Sequence, residues 1–143
     1  MRALLDVNIL IALLDAAHVG HRVASDWMAR ELPQGWASCP LTQNGCIRIM
    51  SQPAYPGAFA AAEVAQRLAE AASHDAHVFW PDDVSLLEKG VLDWSRVLGH
   101  RQVTDNYLLA LAVRHRGRLV TFDARVNGAA VRGSGPKHLV VLV

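Results

Sequence analysis

Hydrophobic residues along this chain fall into short runs that alternate with longer stretches of helical periodicity. The short runs predict buried strands over residues 3–6, 36–39, 77–80, 119–123 and 137–143. The longer stretches predict helices over residues 8–14, 21–32, 42–50, 58–73 and 104–115, with a further helix after Asp83. This alternation indicates an α/β fold, here a three-layer α/β/α sandwich around a mainly parallel sheet of about five strands.

Three of these helices carry specific expectations. Thr42 is the expected cap of the helix that ends at Met50, and Thr104 of the helix that ends near His115. The latter helix is apolar nearly all round and should therefore lie deep in the fold. The helix that Asp83 caps is expected to bury a stripe formed by Leu87, Val91, Trp94 and Leu98.

Three acidic residues occupy positions where parallel sheets bind ligands. Asp6 ends the first apolar run and Asp123 ends the fourth, so both lie at the carboxyl ends of predicted strands. Ligands of open α/β sheets bind beyond those ends. Asp105 stands at the start of the buried helix and can point at the same edge. We therefore expect the fold to bring three acids, distant in sequence, into one pocket.

A cluster of three carboxylates has a definite chemistry. Carboxylates a few ångströms apart repel one another, which raises some of their pKa values until a cation relieves the repulsion. Ligands that are all oxygen atoms suit Mg²⁺ or Mn²⁺ better than Zn²⁺. Since bound Mg²⁺ keeps waters that can attack a phosphodiester, the acids indicate metal-dependent phosphodiester hydrolysis.

Each acid also has a structural interpretation that the sequence leaves open. The helix dipole alone can explain Asp105, because it favours an acid in the first turn by roughly 0.3–1 kcal/mol. Asp123 can cap the segment that follows it. Asp6 can be a buried and hydrogen-bonded polar group. The hydrolytic interpretation depends on the shared placement of the three residues at one edge.

Composition limits the class of protein. Hydrophobic residues make up 52% of the 143 positions and charged residues 19%, which excludes a disordered chain and fits one domain over residues 1–143. No uncharged apolar run reaches the roughly 18 residues of a membrane span, and a secretory signal is not evident. Cys39 and Cys46 do not make a disulfide framework. We therefore expect a cytoplasmic protein with no membrane partner.

Charge is distributed unevenly, although the formal net charge is only +1. Residues 1–93 hold six Lys/Arg and eleven Asp/Glu, whereas residues 94–143 hold eight Lys/Arg and two Asp/Glu. Seven of the eight cations in the second part are arginines, whose planar fork suits phosphate. The basic region can bind the backbone of a nucleic acid, or it can be a solvated face without a partner.

Other residues that carry chemistry receive simpler interpretations. None of the seven histidines has a zinc-ligand spacing with the cysteines, so surface or packing roles are expected. The four tryptophans lie in apolar patterns and are expected in the core, with base stacking by one of them as the alternative. The alanine-rich helix over residues 58–73 can bury its apolar face internally, in a dimer or against a partner helix.

Three short motifs, in this order, resemble those of PIN domains. They are Leu-Leu-Asp-Val-Asn at residues 4–8, Thr-Asp at 104–105 and Val-Thr-Phe-Asp at 120–123. A nearer resemblance is to the VapC-type toxins of bacterial toxin–antitoxin systems. Phe-Trp-Pro-Asp-Asp at 79–83 and Gly-His-Arg-Gln-Val-Thr-Asp at 99–105 match one subgroup of them. The resemblance covers essentially the whole chain.

This resemblance implies an Mg²⁺-dependent ribonuclease, with Mn²⁺ as a substitute ion. It also implies a homodimer or a hetero-oligomer with a cognate antitoxin protein. Asp6, Asp105 and Asp123 fall on the family's metal-site acids, and Asn8 on a polar position beside the first of them. The candidate contacts to RNA are Arg48, Arg101 and Arg125, with pairing to the acids as the alternative role of Arg48.

One position departs from the family pattern. VapC-type toxins usually place a glutamate before an arginine that matches Arg48, and here that position is Gln43. Glutamine can hold a metal or a water through its carbonyl, but it adds no negative charge. We therefore predict one firmly bound Mg²⁺ and a second ion that is weak or recruited with RNA.

Gln43 also leaves a second interpretation open, a catalytically weak PIN scaffold that acts by binding an antitoxin or RNA. A phosphatase that forms an aspartyl phosphate is less favoured, because Asp6 and Asn8 lack the second aspartate common in that chemistry.

Overall fold

A computed structural model describes all residues from 1 to 143 and contains one five-stranded sheet. The strands are β1 (Ala3–Leu5), β2 (Trp36–Ser38), β3 (His77–Phe79), β4 (Arg118–Thr121) and β5 (Leu139–Val141). They lie in the order β3-β2-β1-β4-β5, and every neighbouring pair is parallel. The prediction of an α/β fold around a parallel sheet is confirmed.

Five α-helices cover the two faces of this sheet: α1 (Val7–Leu14), α2 (His21–Glu31), α3 (Pro40–Met50), α4 (Ala61–Ala72) and α5 (Val103–Arg114). Successive residues of a strand point to opposite faces, so Leu5 packs with α1–α4 while Leu4 packs with α5. The result is three layers with two hydrophobic cores. None of the helices combines the length and the hydrophobicity needed to cross a membrane.

Helix α5 lies deep in the fold, as its apolar sequence predicts, and residues 108–112 are all buried. The chain passes from α5 to β4 through Gly117. A Cβ atom at this position would lie 2.6 Å from the Arg2 carbonyl oxygen and 2.6 Å from the Trp80 ring. Only glycine therefore permits this close approach, which sets how α5 packs on the sheet.

Both predicted threonine caps are wrong by one or more residues. Helix α3 begins at Pro40, because proline suits the first helical position, and Thr42 lies inside the helix. The Thr42 hydroxyl accepts a hydrogen bond from the Cys39 amide at 3.0 Å. Helix α5 begins at Val103, directly after a 3₁₀ turn at His100–Gln102, so Thr104 is not its cap.

The predicted helix after Asp83 is also wrong, because residues 81–93 form turns and irregular structure. Gly90 has a φ of +91°, and Leu92 forms an antiparallel bridge with Val131. Neither feature is compatible with a continuous helix. The predicted buried stripe is consequently split, with Val91 half-buried and the other three residues exposed, namely Leu87, Trp94 and Leu98.

Candidate active site

Asp6 lies at the junction of β1 and α1 and is buried, with 8% of its surface exposed. Its Oδ1 atom accepts a hydrogen bond from the Val7 amide at 2.7 Å, and Oδ2 accepts one from the Thr121 hydroxyl at 2.7 Å. Burial raises the pKa of Asp6 and the charge of Asp123 adds to the rise, while these hydrogen bonds oppose it. The protein therefore fixes a carboxylate in a position that disfavours its charge.

Thr121, at the end of β4, connects three parts of the site. Besides donating to Asp6, its hydroxyl oxygen accepts hydrogen bonds from Asn8 Nδ2 and from the Asp123 amide, each at 3.1 Å. Asn8 Oδ1 accepts a further bond from the Phe122 amide at 3.2 Å. Asn8 thus joins α1 to the end of β4. Thr121 is not among the residues that the sequence predicts for the site. Its position as a polar residue directly after the apolar Leu119 and Val120 was the signal that could have identified it.

Asp105 lies in the first turn of α5 and is half-buried. Burial, followed by the charges of Asp6 and Asp123, raises the pKa of Asp105 to about 6, and Arg125 partly opposes this rise. A helix dipole acting alone would lower this pKa. The three acids predicted to share one edge therefore lie near enough to repel one another.

Asp123 lies two residues beyond β4, where its carboxylate forms a bidentate salt bridge with Arg125. Arg125 Nε donates to Oδ1 and Nη2 donates to Oδ2, each at 3.0 Å, and the Arg125 amide donates to Oδ1 at 2.9 Å. These bonds hold the pKa of Asp123 below its usual value. Because the Arg125 side chain is 81% exposed, the ion pair can open at small cost.

A cavity of about 260 Å³ opens between these elements and has no hydrophobic residue in its lining. The lining residues are Arg101, Gln102, Asp105, Asp123 and Arg125. We call this depression the acidic cavity. It places two arginines beside two carboxylates, so it can hold an anionic backbone and a cation side by side.

The donor atoms of this site fit a hard dication, although they are not converged on one point. No three acidic, histidine or cysteine side chains are arranged to hold a metal ion. The donors are all oxygen atoms, and burial, followed by the charges of neighbouring carboxylates, raises the pKa values of Asp6 and Asp105, so a bound cation would stabilise their charged forms. To bind the ion, the Asp123 carboxylate would have to release the Arg125 guanidinium.

Gln43 lies on α3 beside the end of β2 and does not line the acidic cavity. Its Nε2 atom donates to the Ser38 hydroxyl oxygen at 2.9 Å, and that oxygen lies 2.8 Å from His77 Nε2. Burial lowers the pKa of His77, which favours a neutral ring as the partner of Ser38. The amide of Gln43 is thereby oriented by two residues that the sequence analysis did not identify.

The three arginines predicted to contact RNA differ in placement. Arg101 and Arg125 line the acidic cavity. Arg48 is exposed in the last turn of α3 and makes no ion pair with any of the three acids. Its predicted contact with phosphate stays a prediction.

A second depression, the apolar groove, lies between α1, α2 and α4. Its volume is about 320 Å³ and eight of its ten lining residues are hydrophobic. They are Leu10, Leu13, Leu14, Met28, Leu32, Trp36, Leu68 and Ala71, with Glu70 and His74 as the polar members. Helix α4, the alanine-rich helix of the sequence, thus leaves part of its apolar face uncovered.

Comparison with known proteins identifies relatives that match nearly the whole chain. Ribonuclease VapC44 of Mycobacterium tuberculosis is 50% identical over 142 residues, which cover 99% of this chain and 100% of the relative. Ribonuclease VapC39 of the same species is 44% identical over 134 residues, covering 93% of this chain and 96% of the relative.

Solved structures have the same fold at low sequence identity. M. tuberculosis VapC20, a toxin that cleaves the sarcin–ricin loop, superposes with a TM-score of 0.61 at 13% identity, covering 90% of this chain and 98% of that one. VapBC2 of Rickettsia felis, bound to a DNA fragment from its promoter, also gives 0.61 at 10% identity over 100% of both chains. The family model described as the PIN domain matches residues 3–131. This chain therefore belongs to the PIN domain family and, within it, to the VapC group.

Proposed function

We propose that this chain is a metal-dependent endoribonuclease and the toxin of a type II toxin–antitoxin system. Ribonuclease is the activity in the names of VapC44 and VapC39. The observation that carries the proposal is the proximity of three acids: Asp105 and Asp123 line one cavity, and Thr121 joins Asp6 to Asp123. Burial and the charges of Asp6 and Asp123 raise the pKa of Asp105 to about 6, which is consistent with this proximity. Repelling acids destabilise a fold, so a site that keeps them together is best explained by a cation that neutralises them.

In this proposal Asp6, Asp105 and Asp123 hold the ion, which is Mg²⁺ with Mn²⁺ as a substitute. When bound, the ion lowers the pKa of a water and neutralises charge on the leaving oxygen of the phosphodiester. Asp6 is already oriented by Thr121 and Val7, so its carboxylate loses little freedom on binding.

Asn8, Arg101 and Arg125 act on position and charge rather than on the reacting water. Asn8 keeps the start of α1 against the end of β4, which maintains the spacing of Asp6 and Asp123. Arg101 lies on the wall of the acidic cavity, where it can pair with a phosphate of RNA. Arg125 would have to leave Asp123 for that carboxylate to bind the ion, and its guanidinium would then be available to the same backbone.

Gln43 favours one ion over two. Three carboxylates are enough to hold one dication, whereas a second ion would rely on a neutral amide that already donates to Ser38. We therefore propose one firmly bound ion and a second that binds weakly or only together with RNA.

Cleavage of a mixed panel of RNAs tests the proposed function. Wild-type protein with Mg²⁺ or Mn²⁺ should cleave at internal phosphodiesters, and EDTA should stop the reaction. Asp6→Asn should abolish cleavage while thermal unfolding stays cooperative, and Asp26→Asn, which alters an exposed acid on α2, should cleave normally. Equal cleavage by the Asp6→Asn protein would refute the proposal.

The second candidate function is a PIN scaffold with weak catalysis that acts by binding an antitoxin or RNA. One observation favours it: the position where VapC-type toxins usually carry a glutamate is Gln43, which supplies no negative charge and whose amide donates to Ser38. The same panel separates the candidates, because a scaffold would bind RNA or antitoxin without metal-dependent cleavage.

The apolar groove is the proposed docking site for the antitoxin. Its apolar lining between three helices suits an amphipathic helix, and burying that lining would remove leucine and methionine surface from water. Assembly would then give a toxin–antitoxin hetero-oligomer, with a homodimer of the toxin as the other state. We propose that the reaction takes place in the cytoplasm. We also propose that residues 1–143 form one PIN-like domain.

A further inference from the structure

The segment from Trp94 to Leu98 precedes α5, the helix that carries Asp105, and contacts the chain that follows Asp123. The Leu98 amide donates to Gln102 Oε1 at 2.9 Å, and Gln102 lines the acidic cavity. At the other end, the Asp93 amide donates to the Ala130 carbonyl at 2.8 Å. The 3₁₀ turn of this segment, Trp94–Arg96, packs against the turn that follows Asp123, Gly128–Ala130. The segment is therefore joined to the acidic cavity at its Leu98 end, through the lining residue Gln102, and its Trp94 end contacts the chain beyond Asp123.

This segment exposes large apolar side chains to water. Trp94 is 52% exposed and Leu98 is 81% exposed, whereas Trp27, Trp36 and Trp80 are each only 5% exposed. A half-exposed indole contributes little to the hydrophobic core, and the prediction that all four tryptophans lie in the core is wrong for Trp94.

The charges around Trp94 indicate the chemistry of a partner. Arg96 is 61% exposed and its contact with Asp93 is loose, at 3.4 Å. Arg101 follows Leu98 closely in sequence and lines the acidic cavity. Asp93, the acid at this turn, has Oδ1 occupied by the amide and hydroxyl of Ser95. The surface thus combines a half-exposed indole with an exposed, loosely paired Arg96 and with Arg101.

A single-stranded nucleic acid matches this combination better than a protein does. Its bases offer flat faces to an indole, and its phosphates pair with arginine. A protein interface would need a broader continuous apolar patch than two side chains supply. The bases of RNA are also the part that a protein can reach when the strand is unpaired.

We infer that Trp94 and Leu98 form a base-binding platform beside the acidic cavity, on which an unpaired base of RNA near the cleaved phosphate stacks. This inference rests on the proposed ribonuclease function and adds a residue that sets how the strand is held. Arg96 and Arg101 hold the phosphates on either side of the stacked base.

The test measures RNA binding in a background that cannot cleave, Asp6→Asn. A labelled single-stranded RNA of mixed sequence is titrated with this protein and with versions that also carry Trp94→Ala, Trp94→Phe or Leu87→Ala. Trp94→Ala should weaken binding by about tenfold or more, since stacking one base on an aromatic side chain has an effect of this size. Trp94→Phe should recover most of the affinity, because it restores an aromatic face.

Leu87→Ala is the matched control, since Leu87 is 89% exposed but lies outside the segment from Trp94 to Leu98, in the irregular residues 81–93. It should bind like its parent. Equal RNA affinity for Trp94→Ala and its parent, with both proteins folded by circular dichroism, overturns the inference. A change confined to self-association or antitoxin binding also overturns it, because the turn is then a protein interface.

Wild-type cleavage provides a separate readout for the proposed function. If the wild type cleaves no RNA but Trp94→Ala still weakens binding, the nuclease proposal fails while the base platform stands. If the wild type cleaves RNA and Trp94→Ala binds normally, the reverse holds.

Discussion

The molecule has two depressions of similar volume with opposite linings. The apolar groove measures about 320 Å³ and is lined mostly by leucine and other hydrophobic residues. The acidic cavity measures about 260 Å³ and is lined by charged and amide side chains alone. A partner that binds in the apolar groove gains free energy by burying apolar surface. A ligand that binds in the acidic cavity gains it by neutralising charge.

Under the proposed function, the two linings assign partner binding and catalysis to separate parts of the chain. The groove belongs to the α1–α4 layer, while the cavity lies where α5 and the end of β4 meet. Helix α1 is shared, because Asp6 caps it and Leu10, Leu13 and Leu14 project into the groove. Substitutions in the two depressions should therefore affect different functions, provided that α1 stays folded.

The largest expected effect is the loss of cleavage in Asp6→Asn. Removing one of three carboxylates weakens the binding of an ion that stabilises the transition state by several kcal/mol. The rate should therefore fall by about 10³-fold. Antitoxin affinity, measured by isothermal titration calorimetry, should stay unchanged. A parallel loss of both functions would show that Asp6 acts through the fold of α1.

The converse substitution is Met28→Glu in the apolar groove. A charge placed against apolar surface should weaken binding of the cognate antitoxin by about 10²-fold, without changing RNA cleavage. Ala29→Glu adds the same charge one residue later, at an exposed position outside the groove, and should bind normally. Equal affinities for the two variants would contradict a docking site in the groove.

Asp105 links the acidic cavity to the stability of the metal-free protein. Its pKa is raised from 3.8 to about 6, so its contribution to stability is present below about pH 3.8 and is lost as pH rises through about 6. Asp105→Asn should therefore increase the free energy of unfolding at pH 7 by about 1–2 kcal/mol, a value reduced for partial exposure.

Urea unfolding in EDTA between pH 4 and pH 8 measures this effect. The advantage of Asp105→Asn should shrink towards pH 4, where the wild-type carboxyl is protonated. Asp26→Asn serves as the control and should unfold like the wild type at every pH. A wild-type protein that is as stable as Asp105→Asn at pH 7 would remove the case for repulsion in the cavity.

Gln43→Glu tests whether position 43 belongs to the site. A fourth carboxylate should tighten Mn²⁺ binding by about tenfold and increase cleavage, since each added ligand charge strengthens a hard-cation site. Asn44→Asp adds a charge at the exposed neighbouring position and should have little effect. If Gln43→Glu leaves both cleavage and metal affinity unchanged, position 43 lies outside the site.

The smallest expected effect comes from Arg125→Ala. Removing the arginine frees both oxygens of Asp123 and should tighten Mn²⁺ binding by about threefold, because an exposed ion pair is a weak competitor. Arg132→Ala removes an exposed arginine that does not line the cavity and should leave Mn²⁺ affinity unaltered. Weaker Mn²⁺ binding by Arg125→Ala would contradict the exchange of Arg125 for an ion.

Sequence patterns predicted the parts of the site that depend on strands. Asp6 and Asp123 follow apolar runs, and parallel strands end at one edge, so their proximity could be inferred without coordinates. The start of α5 placed Asp105 in the same way. The fold class followed from the same alternation of short runs and helices.

Other parts of the site depend on contacts that periodicity does not encode. The spacing of Leu87, Val91, Trp94 and Leu98 matches a helix, but Gly90 and the bridge from Leu92 to Val131 break it. The salt bridge between Arg125 and Asp123 depends on the side-chain rotamer of Arg125, which the sequence pattern does not specify. The hydrogen bonds from Gln43 to Ser38 and on to His77 join residues far apart in sequence.

The most direct test of the account is a crystal structure of the protein grown with Mn²⁺, with the ion located by its anomalous scattering. We expect one strong anomalous-difference peak between the carboxylates of Asp6, Asp105 and Asp123, with the Arg125 side chain turned away from Asp123. A Mn²⁺ ion bound elsewhere, with that pocket empty and Arg125 still paired, would contradict it.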